Sequence, residues 1–483
     1  MNPADDFVPC PLSQLPDELL LEVFHHLRPV RGFLASDTDE KRRQEENGRR
    51  IASLHALTLT ARGLRDLVQP ILYQAFVHPE HYTEKCRRFL RTILSKPELA
   101  EYVHYIEDQD LCHALGSRGD VEPPGRGPDL TGLYDDFPPS HITAQTKQAI
   151  LRAGKPSLQL DSWLQRIERN LDAYQIKDIR QWELTVLRAI CPNVRDVAFI
   201  DIDKARLETE LLREPRLQRL WIKLDEGRLY WKYPCLAHNI FTQCLAVSEQ
   251  LWISRVFAAE MNRSRWARLP LCGSAHPHEV QLTELVLDQC EVEPDCLGKI
   301  IMSCVSLKRF TCRWGIPLRN TLSLEERKPA QPIDLPGLNT SLSRHTSTLE
   351  YLILDTLDSG WQIPMEQDVP PIGSLHNYTS LTHLEVAGLV LWGDVEDKEE
   401  EDTSVPGTNI PVSQVLPRNL EELVLWTEWD TDVEDRLLEL ARHATQTVPQ
   451  LKTIDCSWRP ATEMAIVLEE EFATIGITLQ LQS

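Results

Sequence analysis

The chain contains 483 residues, with 51 Lys or Arg against 73 Asp or Glu, which gives a formal net charge of −22 at pH 7. An apolar share of 42% excludes wholesale disorder. The acidic balance repels phosphate, so we expect no nucleic-acid partner. No apolar run is long enough for a membrane helix, and the acidic N-terminus is unlike a secretory signal. Together with 12 scattered cysteines, these features predict an intracellular protein, cytoplasmic or nuclear, with no membrane partner.

The segment 15–72 has the apolar spacing of three short helices. The charged stretch 35–50 is interpreted as a solvated insertion between the first two, because it has almost nothing to bury. Three short helices enclose little interior, so the first one keeps an apolar strip that either the rest of the chain or another protein must cover. The strip consists of Leu15, Leu19, Leu20, Val23, Phe24 and Leu27.

This N-terminal segment resembles the F-box. The resemblance rests on LPDELLLEVF at 15–24 and on ALTLTARGLRDLVQPILYQAF at 56–76, whose QPILY close is similar to the fungal kind. It covers residues 1–76 and departs from the family by an insertion at 30–50. It implies an F-box-like helical module that docks on a Skp-type adaptor and, through it, a cullin-RING ubiquitin ligase. The residues implied in adaptor binding are Leu12, Leu15, Pro16, Leu19, Leu20, Val23, Phe24, Leu27, Leu54 and Leu57.

Residues 77–145 are interpreted as a connecting region. The pattern predicts a helix over 84–97 and a strand over 100–107. The segment 117–141 is rich in Pro and Gly and is expected to be a loop or disordered. A long helical region is predicted over 143–190.

The remainder, residues 146–483, carries a recurring L-x-x-L-x-L pattern. Alternate apolar positions are typical of a strand with one buried face, and return helices are predicted from 295 and from 435. The gap from Leu217 to Leu282 leaves room for one undetected repeat, and insertions at 319–337, 357–374 and 394–411 are expected to project as loops. The matches begin at Val194, Leu217, Leu282, Leu307, Leu349, Leu381, Leu420 and Leu451.

These units resemble irregular leucine-rich repeats of the cysteine-containing kind, which recur behind F-boxes. The predicted fold is therefore α/β, a three-helix F-box-like module followed by a leucine-rich-repeat-like solenoid. Residues between the buried leucines would share the opposite face, where Glu284, Asp288, Glu385 and Glu422 are among those displayed. Alternatively, helices or insertions cover this face. The candidate substrate-binding residues are Arg219, Trp221, Lys223, Arg309, Arg313, Tyr351, Asp355, His383 and Trp426.

Catalytic and metal-binding motifs are weak in this sequence. Gly154-Lys155 lacks the rest of a phosphate loop, and His278-Glu279 lacks the second histidine of a zinc-protease helix. We expect no metal at His25-His26, because adjacent helical positions diverge. The cluster Cys290, Cys296, Cys304 and Cys312 is interpreted as core filling and not as a zinc site. The acidic run 396–402 is interpreted as a solvated loop, with capture of a basic partner as the alternative.

The sequence therefore predicts a non-catalytic substrate receptor of a Skp–cullin–F-box type ubiquitin ligase, without cofactor or metal. In this interpretation the N-terminal module binds the adaptor and the repeats select an unknown target protein. Two alternatives stay open. One is a leucine-rich-repeat scaffold whose N-terminal helices only cap the solenoid, and the other is an enzyme with a site assembled from distant residues.

Overall fold

The chain forms two compact units, Met1–Ile202 and Asp203–Ser483. They are seen in a computed structural model. The residues that it describes are 15–33, 37–77, 83–109, 148, 187, 190–202, 217–224, 253–257, 260–261, 280–292, 294–314, 333–355, 370–392, 411–427, 433–458 and 462–481.

Three helices open the first unit, as the apolar spacing predicts: α1 (Asp17–His25), α2 (Asp37–Thr60) and α3 (Arg62–Leu72). Helix α1 begins after Pro16, whose carbonyl accepts hydrogen bonds from the amides of Leu19 and Leu20 at 3.1 Å. Asp17 and Glu18 lie in its first turn, where negative charge favours the helix dipole. The helices share one apolar core, made by the buried side chains of Leu20, Phe24, Leu54, Val68 and Ile71.

The expected solvated insertion at 35–50 is wrong. Residues 37–50 form the first half of the 24-residue helix α2, and Glu40, Arg43 and Asn47 are buried. Arg43 donates hydrogen bonds to Glu40, with Nη2 to Oε1 at 2.6 Å, and to Glu107, with Nη2 to Oε1 at 2.9 Å. The hydroxyl of Tyr105 donates to Oε2 of Glu107 at 2.7 Å. Glu40 and Arg43 therefore pair inside the unit, while Arg42 and Arg49 on the same helix stay exposed to water.

The loop after α1 is fastened to the same region. The side chain of Asn47 accepts from the amide of Val30 at 2.7 Å and donates to its carbonyl at 3.0 Å. Gly32, with φ of 81°, donates its amide to the Tyr105 hydroxyl at 3.0 Å. Arg31 forms an ion pair with Asp196. These contacts fix the chain between α1 and α2.

A small parallel sheet completes the first unit. Its strands are β1 (Ala75–Phe76), β2 (Tyr105–Gln109) and β3 (Asp196–Ile202), with β2 between the other two. Helix α4 (Thr83–Ser95) and a 3₁₀ turn (Pro97–Tyr102) precede β2. The helix predicted over 84–97 is therefore confirmed. The strand predicted over 100–107 begins at Tyr105, five residues later than predicted. The Pro/Gly-rich segment 117–141 and, apart from residues 148, 187 and 190, the predicted helical region 143–190 lie outside the described residues.

The second unit is built on parallel strands that pair in chain order, except that β6 adds only to β7. Successive apolar positions of the repeated pattern come into register, so that Leu285, Phe310, Leu352, Leu384, Leu423 and Ile454 lie side by side. All six are fully buried. The predicted α/β class is confirmed. The strands are β4 (Arg219–Leu224), β5 (Ile253–Phe257), β6 (Glu260–Met261), β7 (Glu284–Val292), β8 (Arg309–Trp314), β9 (Tyr351–Asp355), β10 (His383–Ala387), β11 (Glu422–Trp426), β12 (Thr453–Cys456) and β13 (Thr478–Leu481).

Helices connect several of these strands, and both predicted return helices are confirmed. The helices are α5 (Pro294–Ser303), α6 (Leu335–Leu342), α7 (Gly388–Trp392), α8 (Val412–Val415), α9 (Val433–Thr447) and α10 (Thr462–Thr474). Residues 335–337 begin α6, which corrects the insertion predicted over 319–337. The rest of that insertion up to 332, and the parts of the other two at 357–369 and 394–410, lie outside the described residues.

Polar side chains join the helices of the second unit to the segments between strands. On α6, Nδ2 of Asn339 donates to the carbonyls of Ile372 and Ser374 at 2.9 and 3.2 Å. Its Oδ1 accepts from the Tyr378 hydroxyl at 2.7 Å. Buried His345 lies 3.0 Å, through Nε2, from the Ile301 carbonyl. Burial lowers the pKa of His345, which keeps the imidazole neutral near pH 7.

In the part of the chain that the structure describes, none of the helices combines the length and the apolar character needed to cross a bilayer.

Candidate interaction surfaces

The first candidate surface is an apolar strip along α1. Leu15 is 37% exposed, Leu19 53% and Val23 46%. Leu19 and Val23, four residues apart, lie on one face of α1, and Leu15 is exposed just before the helix begins. We call these three side chains the stripe. Large apolar side chains on adjoining positions of one surface are typical of a site that another protein covers.

The structure places some of the predicted adaptor-binding residues at the surface and others in the core. Leu20, Phe24 and Leu54 are buried in the core of the helical module, which corrects their expected place in the adaptor interface. On α1, Leu20 and Phe24 turn inward because they follow the exposed Leu19 and Val23 by one residue, about 100° around the helix. Leu27 and Leu57 are half-buried against the same core, Pro16 is exposed, and Leu12 lies outside the described residues.

The second candidate surface is a set of polar and aromatic side chains on one face of the sheet in the second unit. We call it the polar face, and it consists of Glu284, Asp288, Arg309, Arg313, Tyr351, His383, Glu385 and Glu422. Glu284, Arg309, Tyr351, His383 and Glu422 occupy the same register position on β7 to β11. Because register places equivalent residues about 4.8 Å apart, distant parts of the sequence meet here.

A stack of three side chains forms the centre of the polar face. The guanidinium of Arg309 lies 4.1 Å from the centroid of the Tyr351 ring. The His383 ring stacks on Tyr351 with 4.2 Å between centroids and 22° between planes. Since β8 and β10 flank β9, the phenol is held between a cation and an imidazole. A cation on an aromatic face is a stabilising arrangement.

Carboxylates surround this stack. Oε2 of Glu422 lies 3.0 Å from Nδ1 of His383, and Oε2 of Glu385 lies 3.7 Å from its Nε2. Glu385 also lies 3.6 Å from Arg313, which contacts Asp288 at 3.4 Å. The polar face is therefore one connected network that joins five neighbouring strands.

His383 is the titratable group that this network perturbs. Burial of the ring lowers its pKa, but hydrogen bonds and charge from Glu385 and Glu422 outweigh burial and hold the pKa of His383 above its usual value. The charged imidazolium is thus favoured at the centre of the polar face. It adds a positive charge between two carboxylates.

The other predicted substrate-binding residues are less exposed than expected. Trp221, Lys223 and Asp355 are buried, with 7%, 2% and 7% of their surface exposed, which corrects the expectation that they are displayed. This face is therefore buried at β4 and at the end of β9. Arg219 and Trp426 are half-buried.

The sequence predicts only part of the polar face. The sequence predicts Arg309, Arg313, Tyr351 and His383 as substrate-binding residues, and predicts that the carboxylates Glu284, Asp288, Glu385 and Glu422 are displayed on the same face. The feature of the sequence that could identify these carboxylates is their position in the repeat, because Glu284 and Glu422 occupy the same repeat position as Arg309 and His383.

The cysteine cluster belongs to the interior, as predicted. Cys290, Cys296, Cys304 and Cys312 are free thiols with at most 1% exposure. Burial raises the pKa of the Cys304 thiol to about 12, so it is a poor nucleophile. Among the described residues no group of three or more His, Cys, Asp or Glu side chains is arranged to hold a metal ion. The acidic run 396–402 lies outside them.

Comparison of the chain with protein-family models and with curated proteins gave no match.

Proposed function

We propose that this protein is a substrate receptor of a Skp–cullin–F-box type ubiquitin ligase, with the adaptor bound by the helical module and a target protein bound by the second unit. The observation that carries the proposal is the stripe Leu15, Leu19 and Val23, which stays exposed at the start of α1 and along it while the neighbouring Leu20 and Phe24 are buried.

The helical module supports the first half of the proposal. Its core is complete without the exposed stripe, so the module does not need those three side chains for its own packing. Burying a leucine or valine in an interface gains roughly 1.5–3 kcal/mol per side chain. A partner protein that covers the stripe would therefore gain binding free energy from these side chains while the core of the module stays unchanged.

The second unit supports the other half. Its strands follow one another in chain order with parallel pairing, which is the neighbour-to-neighbour arrangement of a repeat solenoid. We propose that the unit is such a solenoid, and that the polar face is its target-binding surface. Arginine and tyrosine are residue types that dominate binding energy at interfaces.

In this function the protein performs no bond chemistry of its own. It holds the target near a conjugating enzyme that the ligase recruits, and the rate increase comes from effective concentration.

The test is binding of the full chain to a purified Skp-type adaptor by calorimetry. A double variant, Leu19→Asp with Val23→Asp, places two charges in the stripe and is expected to weaken binding at least tenfold. The matched control is Ile466→Asp with Val467→Asp on α10, whose side chains are 51% and 44% exposed in the second unit. The control is expected to bind like the wild type.

Absence of adaptor binding by the folded wild-type chain would overturn the proposal, and so would equal affinities for the two double variants. Co-purification followed by mass spectrometry tests the division of labour. The stripe variant is expected to lose the adaptor and the cullin while it retains other partners. If the stripe variant retains all of its partners, the scaffold alternative is favoured.

A further inference from the structure

A pocket of about 400 Å³ lies inside the first unit, between α1, α3 and the segment that leads into β2. Its apolar wall is made by Leu21 from α1 and by Leu67, Pro70 and Ile71 from α3. This volume is near the lower end of the range for small-ligand sites, roughly 300–1,000 Å³.

The pocket and the exposed stripe lie on opposite sides of α1. Leu21 and His25 line the pocket, whereas Leu19 and Val23 form part of the stripe. Each pair is offset from the other by two residues, about 200° at 3.6 residues per turn. A protein bound on the stripe would leave the pocket open, so the pocket is a separate site and does not depend on the proposed function.

One basic side chain in the pocket wall, that of Arg28, has no ion-pair partner among the described residues. Arg28 lines the pocket and donates from Nη2 to Nε2 of His25 at 2.8 Å. Its Nε is buried and has no hydrogen-bond partner, and in the described part of the chain no carboxylate lies within ion-pair distance of it. Burial, and then the charge of Arg31, lower the pKa of Arg28. The side chain is half-buried, but a buried N–H without an acceptor is costly, and an oxygen of a bound anion that accepted from it would offset that cost.

The remaining charged group of the pocket is Asp66, an exposed residue of α3. It forms no ion pair with Arg28, so it does not neutralise the guanidinium. Its negative charge at the rim favours a ligand with a single, small anionic group over a multiply charged phosphate.

We infer that this pocket binds a small carboxylic acid with an apolar body, the carboxylate on the guanidinium of Arg28 and the body against Leu21, Leu67 and Ile71. A planar guanidinium matches a carboxylate through paired hydrogen bonds. The apolar wall supplies the rest of the affinity.

The test is calorimetry of octanoate with the full chain, with 1-octanol and acetate as the matched ligands. Octanoate is expected to bind saturably, and each of the other two at least tenfold more weakly, because one lacks the charge and the other the apolar body. Arg28→Gln is expected to weaken octanoate binding about tenfold. Asp66→Asn is expected to strengthen it, since it removes the repulsive carboxylate. Arg91→Gln, at an exposed position of α4, is the control and should bind like the wild type.

Failure of octanoate to bind the wild type would overturn the inference. So would equal octanoate affinities for Arg28→Gln, Asp66→Asn and the wild type, because an apolar pocket alone is insensitive to either charge. If Arg28→Gln does not fold, Arg28→Lys keeps the charge without the planar fork and should bind octanoate more weakly than the wild type. The stripe variant Leu19→Asp with Val23→Asp is expected to bind octanoate normally, which separates this inference from the adaptor proposal.

Discussion

Arg43 and Glu107 lie 64 residues apart in the chain and meet in the interior of the first unit, where Nη2 of Arg43 is 2.9 Å from Oε1 of Glu107. Only 2% and 0% of their side chains are exposed. Arg43 also pairs with Glu40, so one cation serves two buried carboxylates. The contact fastens the charged half of α2 to β2.

The Arg43→Met variant is expected to lose about 3–5 kcal/mol of unfolding free energy, because Glu40 and Glu107 remain buried without their cation. Urea denaturation of the full chain measures this loss. The control is Arg42→Met, next in the chain, whose side chain is 73% exposed and pairs with Asp39. Its effect is expected within about 0.5 kcal/mol. Similar midpoints for the two variants would contradict the assignment of Arg43 as the buried partner.

Adjacent leucines of α1 are expected to respond differently to truncation. Leu20→Ala should destabilise the chain by about 2–5 kcal/mol, since it leaves a cavity in the core of the helical module. Leu19→Ala should change stability by less than about 0.5 kcal/mol, because that side chain is exposed. Thermal unfolding of both variants measures the contrast. Equal destabilisation would show that the stripe is part of the core.

The Asn339 network is expected to contribute to the stability of the second unit. Asn339→Ala removes a donor to two carbonyls and the acceptor for the Tyr378 hydroxyl, at an expected cost of about 1–3 kcal/mol. Asn377→Ala, at an exposed position, is the control and should lie within about 0.5 kcal/mol of the wild type. Denaturant midpoints compare them. A neutral Asn339→Ala variant would mean that water replaces the amide at no cost.

The charge on His383 is expected to make the second unit depend on pH. Its pKa is raised in the folded chain, so its stabilising contribution is complete below the ordinary value of 6.5 and fades as pH rises through the raised value. The stability of the wild type relative to His383→Gln should therefore fall between pH 5.5 and pH 8.5. Urea titrations at both pH values measure this difference, in which the opposite effect of His345 cancels. His443→Gln, at an exposed position of α9, is the control variant.

The alternation of apolar residues correctly predicts the position of most strands of the sheet, because this alternation is a local property of the sequence. Each strand from β7 to β12 has buried residues at the positions that the repeated pattern specified. The strand β5 fills the gap left for an undetected repeat. Its Ser254 pairs with Leu220 and Leu285, so a polar residue occupies the expected apolar position. The strand β13 follows Gly476, which has φ of 77° and stands where the other units have their first apolar residue.

Burial of charge could not be read from local composition. The segment 35–50 contains ten charged residues and reads as solvated, yet Arg43 is buried because its partner Glu107 lies on a distant strand. Local composition also does not identify the carboxylates of the polar face as members of one network. Glu422 contacts His383 because the register of β10 with β11 places the two residues side by side. A pattern gives the period of a strand, whereas the pairing of charges depends on which strands become neighbours.

Register in the second unit separates the residues that build the sheet from those that it presents. Along β8 to β11 the alternate leucines and their equivalents can stay constant while Arg309, Tyr351, His383 and Glu422 are exchanged. Randomising these four codons together would generate a library with variety at one patch and a constant hydrophobic interior. Such a library would test, one strand at a time, whether the polar face binds a target as proposed.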